Sequence, residues 1–191
     1  MTFKSSILIF LALMVSGFAV FIAARNGVYP VALVNSQIIS ARDLEKDYNA
    51  ALRYFHNAIL TYGSDPAILE KEDSKKEIRR ATLNKLVTDI LISQEAEKRL
   101  GRELSDVTEK IISQNLNSQN LEKAVSEIYG LGLEDFKKQI LVSQAHREIL
   151  EGKMFANKEN FDQWLADASG KARVVILLPD FSWDGKQVVV K

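Results

Sequence analysis

From Ser5 to Ala24 the chain carries no charge, and from Ile7 to Ala24 only Ser16 and Gly17 interrupt an apolar run. As a helix, a run of about 20 residues spans roughly 30 Å, the thickness of a bilayer's hydrocarbon core. Lys4 and Arg25 bracket it closely. The first reading is a retained N-terminal transmembrane helix, with residues 7–24 in the membrane. The competing reading is a signal peptide with Lys4 as its basic n-region, which needs small residues at and just before the cleavage site. Cleavage after Ala24 or Ala23 would place the bulky Ile22 or Phe21 at the second of these positions. Cleavage after Ala19 would place Gly17 there, but Phe18 to Ile22 then continues the apolar run across the cut. A buried core helix is the third possibility. Under the first two readings the remainder is exported. Lys4 and Arg25 nearly cancel as an orientation signal, so an extracytoplasmic ectodomain on a single-pass inner-membrane protein rests on the shortness of the N-terminal tail. Residues 1–25 are therefore expected to be an anchor or signal peptide, and residues 26–191 one water-soluble domain.

The charge balance narrows the function. Among 191 residues, 25 Lys plus Arg meet 25 Asp plus Glu. That removes the basic excess of a nucleic-acid binder, so no nucleic-acid partner is expected. Without Cys the chain has no disulfides, thiolate zinc sites or thiol nucleophiles. A composition 47% apolar and 26% charged is that of a folding chain.

After Arg25 the local pattern is mostly helical. Val31 to Ile39 reads as two short strands around an Asn35-Ser36 turn, where Asn tolerates positive φ and Gly would suit the second position better than Ser36. Ser40 reads as an N-cap with Asp43 able to reach back to the helix start. Leu44, Tyr48, Leu52, Phe55, Ile59 and Tyr62 then form one apolar stripe, with Gly63 as its stop. Mixed charges between Glu70 and Arg80 open a long helix to Leu100, about 27 residues or roughly 40 Å. Its main stripe is Leu83, Leu86, Val87, Ile90 and Leu91, with Ile92 on the opposite side, as in the central helix of a small bundle. Further helices follow: one capped by Ser105, one from Leu121 to Gly130, one from about Leu133, and one capped by Asn157. Ala172 to Leu178 is rich in β-branched residues and lies between Gly170 and Pro179, so it reads as a strand. A hairpin alone is marginal in water, so this strand is expected to pair with the Val31–Ile39 hairpin and join the two ends of the ectodomain.

Little in the chain suggests catalysis. His56 and His146 are far apart, and no zinc-protease, phosphate-loop or nucleophile-elbow motif is present. Gly130-Leu131-Gly132 follows a helix and reads as its stop. Asp180 to Gly185 copies the first half of an EF-hand loop, but Lys191 stands where the bidentate Glu belongs, so a polar hairpin turn is the better reading. No cofactor and no metal are expected. An unrecognised enzyme would have only Asp180, Asp184 and the two His to work with.

The segment VALVNSQIISARDL resembles the opening hairpin and helix of the SurA-type chaperone N-terminal module. Leu83-Asn84-Lys85-Leu86-Val87, Gln94-Glu95-Ala96, Gly101 and Ser105-Asp106-Val107 are similar to that family's second signature. Tyr129-Gly130 and Leu133-Glu134-Asp135-Phe136 resemble a later helix start in it. The resemblance covers about Val31 to Leu150 and includes SurA, PpiD and PrsA among its relatives. Those relatives often add a parvulin isomerase domain, for which the residues after Leu150 are too few. The resemblance implies a small helical bundle with a short antiparallel β element. It also implies a holdase-type chaperone for unfolded or nascent exported polypeptides, without isomerase activity. Tyr48, Phe55, Tyr62 and Ile92 are the candidate client contacts, although ordinary core is the plainer reading of each. The alternative function is a non-catalytic envelope assembly or adaptor subunit that binds one defined partner.

Overall fold

The computed structural model describes residues 27–116 and 120–191, and the expected anchor over residues 7–24 lies outside the described residues. Strands β1 (Pro30–Val34) and β2 (Gln37–Ser40) form the expected hairpin, with Val34 opposite Gln37. Only Asn35 takes a positive φ, of 55°, so the turn accepts Ser36 without the Gly that sequence reasoning would prefer. Asn35 also acts as a clamp. Its side-chain oxygen accepts the Arg173 N–H at 3.1 Å, and its amide nitrogen donates to Gln94 Oε1 at 2.7 Å.

Ser40 caps α1 (Ala41–Thr61) as expected: its Oγ accepts the Asp43 N–H at 3.1 Å and donates to Asp43 Oδ2 at 2.7 Å. The helix stops at Tyr62, followed by Gly63 at φ +70°. A 3₁₀ turn (Pro66–Glu70) leads into α2 (Glu72–Leu100), 29 residues long. Next come α3 (Glu103–Asn115), α4 (Leu121–Tyr129) and α5 (Leu133–Phe136). A π-helical turn (Lys137–Leu141) then runs without a break into α6 (Val142–Ala156). The chain ends with α7 (Phe161–Lys171), β3 (Val174–Ile176), β4 (Phe181–Trp183) and β5 (Val188–Val190).

Two expected caps are corrected. Ser105 lies inside α3, because helical dihedrals begin at Arg102 directly after the Gly101 turn and the helix needs no side-chain cap. Asn157 ends α6, and the cap of α7 is Asn160, whose Oδ1 accepts the Gln163 N–H at 2.8 Å.

The two ends of the described chain meet. β3 pairs antiparallel with β1, giving a three-stranded sheet in the order β2-β1-β3. Val31, Ala32, Val34 and Ile39 of this sheet share a core with Leu83, Val87 and Leu91 of α2. The β4-β5 hairpin adds Phe181 and Val188 to this core. The backbone of Val188 is satisfied by α2, donating to Asn84 Oδ1 at 2.9 Å and accepting from Arg80 at 2.8 Å. The second side of α2 is covered too: Ile92 packs with Leu150 and Met154 of α6 and with Phe161, Trp164 and Leu165 of α7. The fold is thus mostly α with small antiparallel sheets, built around α2. Among the described residues no helix is long and apolar enough to cross a membrane.

Candidate functional site

The open part of the molecule lies where α1 leaves the cover of the sheet. Its carboxyl half is held to α4 by polar contacts. Arg53 Nε donates to the Glu127 carbonyl at 3.2 Å, and Asn57 Nδ2 donates to the carbonyls of Glu127 and Ile128 at 2.9 and 3.1 Å. These bonds satisfy carbonyls that the end of α4 leaves without helical partners. Gly130 closes that end at φ +69°, and a Cβ there would come within 2.8 Å of Arg53 Cδ. The left-handed φ favours glycine, and Gly130-Leu131-Gly132 is a helix stop, as its position suggests.

This docking aligns a row of aromatic rings. Tyr129 stacks on Tyr54 with centroids 5.7 Å apart and planes 10° from parallel. Phe55 meets Tyr54 edge-on at 5.7 Å, and Phe136 lies 5.4 Å from Tyr129. Beside the row is a cavity of about 270 Å³, walled by Ala50, Ala51, Tyr54, Phe55, Tyr129 and Ile140. The two alanines make the space, since a larger side chain one turn below the aromatics would fill it. The far wall is the π-helical turn, a distortion that recurs at functional sites. On that turn the Gln139 side-chain oxygen is buried and has no hydrogen-bond partner among the described residues.

A second cavity, of about 280 Å³, shares Asp47 and Gln139 with the first and extends along β2. Gln37, Ile38 and Ile39 border it on one side, Leu86, Asp89 and Ile90 on another. Where the two lobes meet, Lys85 Nζ lies 2.7 Å from Asp89 and 3.4 Å from Asp47. Burial raises the Asp47 carboxyl above its ordinary range, against the pull of Lys85. Burial works against the Lys85 ammonium, but the Asp89 and Asp47 carboxylates outweigh it and hold its pKa up. The cleft is therefore apolar at the aromatic lobe and acidic along the strand lobe.

The four expected contact residues separate cleanly. Phe55, 43% exposed, lines the aromatic lobe. Tyr62, 85% exposed, stands beyond it at the end of α1. Tyr48 is 8% exposed, packed on Leu69 and Ile78 with the Arg79 guanidinium 4.8 Å above its ring. Ile92 is 1% exposed within the α2–α6–α7 core. For these two the core reading holds, and a client could reach them only if the bundle opened. Tyr54, Tyr129 and Gln139 are not among the residues that periodicity singles out. The pair Ala50-Ala51 one turn before Tyr54-Phe55 was the available signal.

The two histidines do not form a pair. His56 is exposed on α1, whereas His146 is half-buried on α6 with Nδ1 2.9 Å from Ser93 Oγ. Asp184 Oδ1 accepts the N–H groups of Lys186 and Gln187 at 2.8 Å each, so the β4-β5 turn runs from Asp184 to Gln187, while Phe181 to Trp183 of the EF-hand-like stretch are strand β4. Among the described residues no cluster of His, Asp and Glu could hold a metal ion.

No curated protein and no solved structure matches the chain. The model of the SurA-like N-terminal domain family matches residues 4–129. That match begins at Lys4, just before the apolar N-terminal run, and ends at Tyr129, earlier than the Leu150 reached by the resemblance of individual motifs. Within the described residues it takes in the hairpin, α1, α2, α3 and α4, and with them Tyr54, Phe55 and Tyr129. The chain belongs to the SurA-like N-terminal domain family, a family of chaperone type.

Proposed function

We propose that this protein is a membrane-anchored, extracytoplasmic holdase that shields apolar segments of unfolded exported polypeptides, with residues 7–24 as the anchor. The observation that carries the reading is the open aromatic lobe, an apolar cavity whose rim residues Tyr54 and Phe55 remain exposed. Leu60, Tyr62 and Ile128 extend the exposed apolar surface near it. A lobe of this size accepts one or two client side chains. Each of Leu or Phe size contributes about 2 kcal/mol on burial, from which the cost of association is subtracted. One or two side chains thus supply at most about 4 kcal/mol, millimolar affinity or weaker, so useful binding draws on the neighbouring exposed apolar surface as well and release needs no energy source. Contacts of this kind are non-directional and favour many clients over one sequence. The charged groups at the lobe, Asp47, Asp89 and Lys85, are bound up in ion pairs with one another, and the proposed action is binding without prolyl isomerisation.

Two assays on one sample of the full chain test this. Light scattering from several unrelated, diluted unfolded proteins should fall as the protein is added. A proline-limited refolding phase, which takes on the order of tens of seconds uncatalysed, should keep its rate. Unchanged scattering for every test protein would favour an adaptor with one folded partner, and a faster refolding phase would reveal catalysis.

A further inference from the structure

The strand edges are unequally covered. In the two-stranded sheet Val188 has both backbone groups bonded to α2 side chains, and in the three-stranded sheet the chain after β3 turns back through the Phe181 N–H to Leu178 carbonyl bond. Among the described residues β2 has no such cover. In a two-residue hairpin the residues that close the turn, here Val34 and Gln37, exchange ladder hydrogen bonds, and alternation then makes Ala32 and Ile39 the next bonded pair. The β3 side agrees, because Asn35 N–H bonds Arg173 and Leu177 N–H bonds the Val31 carbonyl, so odd-numbered residues of β1 face β3. Ile38, opposite Leu33, therefore points its own N–H and C=O away from the sheet, and among the described residues neither has a partner.

That edge borders the strand lobe of the cleft. Gln37, Ile38 and Ile39 all line it, although their side chains alternate between the two faces, so the strand's edge forms the wall. β2 also lacks the charged residues or Pro that usually protect a free edge, and Ile38 is 56% exposed. Opposite stand Leu86 and Ile90, with Asp43, Asp47 and Asp89 against Lys138 and the bridging Lys85.

We propose that the strand lobe takes its client by strand addition: an extended segment pairs its main chain with Ile38 and sets alternate apolar side chains toward Leu86 and Ile90. The acidic wall selects segments whose other residues include Lys or Arg. This rests on the chaperone reading and gives it a specific form. Main-chain pairing supplies the directional part of the affinity and stays indifferent to sequence, and the aromatic lobe takes a neighbouring apolar side chain.

The test uses the full chain and a fluorescent peptide of about eight residues alternating Val and Lys, the length of an ordinary strand. Two derivatives are N-methylated, one at each Val and one at each Lys, so each loses the N–H donors of one edge. One derivative should bind about tenfold more weakly and the other within about threefold of the parent, as loss of a desolvated hydrogen bond implies. Ile38→Pro removes the outward N–H and keeps the ladder to β1, so it should lose about tenfold, whereas Ile38→Ala should lose far less. Equal behaviour of the two derivatives would overturn strand addition whether or not Ile38→Pro folds. If the wild type then still suppressed scattering, the holdase reading would stand without it. If no peptide bound and scattering were unchanged, both would fall. A dimer abolished by Ile38→Pro, with no effect on peptide binding, would make a second copy the occupant and overturn the proposal.

Discussion

The two ends of α1 use similar residues to opposite effect. Near its start, Leu44 joins Val31, Val34, Ile39, Leu83 and Val87 in a core sealed by the sheet on one side and α2 on the other. Near its end, Tyr54 and Phe55 have α4 and the π-helical turn beside them and stay more than two-fifths exposed. The difference lies in the second layer. The sheet end is closed by strands from both ends of the described chain, whereas the aromatic end is flanked by a helix of only nine residues. One end therefore holds the fold together, and the other leaves apolar surface to be covered by something else.

The largest expected effect is at the sealed end. Leu83 is fully buried between α2 and the sheet, and Leu83→Ala should cost about 3 kcal/mol of stability, read from chemical denaturation. A loss below 1 kcal/mol would mean that this end is not the stabilising one. At the open end the effects should reverse. The double variant Tyr54→Ala, Phe55→Ala should weaken client binding about tenfold and cost only about 1 kcal/mol of stability, the worth of the lost ring contacts. Titration of unfolded protein against the variant, alongside its denaturation curve, reads both.

Acid should act through the packed side of α2. Burial holds His146 below its ordinary value of 6.5, more than offsetting the nearby Asp89 and Glu97 carboxylates. The unfolded chain therefore takes up this proton before the native state does as pH falls. The stabilising contribution is complete above the unfolded value and is lost progressively below it. Denaturation midpoints measured on either side of that value should show this slope, and His146→Gln should flatten it. An unchanged slope would place the acid sensitivity elsewhere.

Much of the fold was legible because it rests on local chemistry. Asn35-Ser36 marks the hairpin, Ser40 with Asp43 marks the start of α1, and the Leu83–Leu91 stripe with Ile92 opposite marks a helix covered on two sides. The pairing of β3 with β1 followed from the need of a lone strand for a partner. The two helix starts went astray because turns at Gly101 and Asn157 displace each cap by three residues. The site was only partly legible. Tyr48 and Phe55 lie on the same stripe, yet one is 8% and the other 43% exposed. Periodicity identifies an apolar face and cannot say how far the neighbouring helices extend over it. The π-helical turn and the unpaired Gln139 oxygen leave no mark in the spacing of apolar residues either.

The most direct test of an open, client-binding end compares two exposed phenylalanines. Phe55 lies on the aromatic lobe, and Phe155, 85% exposed, lies near the end of α6 and lines neither lobe of the cleft. A photo-crosslinking phenylalanine analogue is placed at each position in turn, and the full chain is irradiated with a labelled, unfolded polypeptide. Strong adducts at position 55 and weak ones at position 155 are predicted, despite the greater exposure of the latter. Equal yields at both positions, or adducts only at 155, would contradict the account.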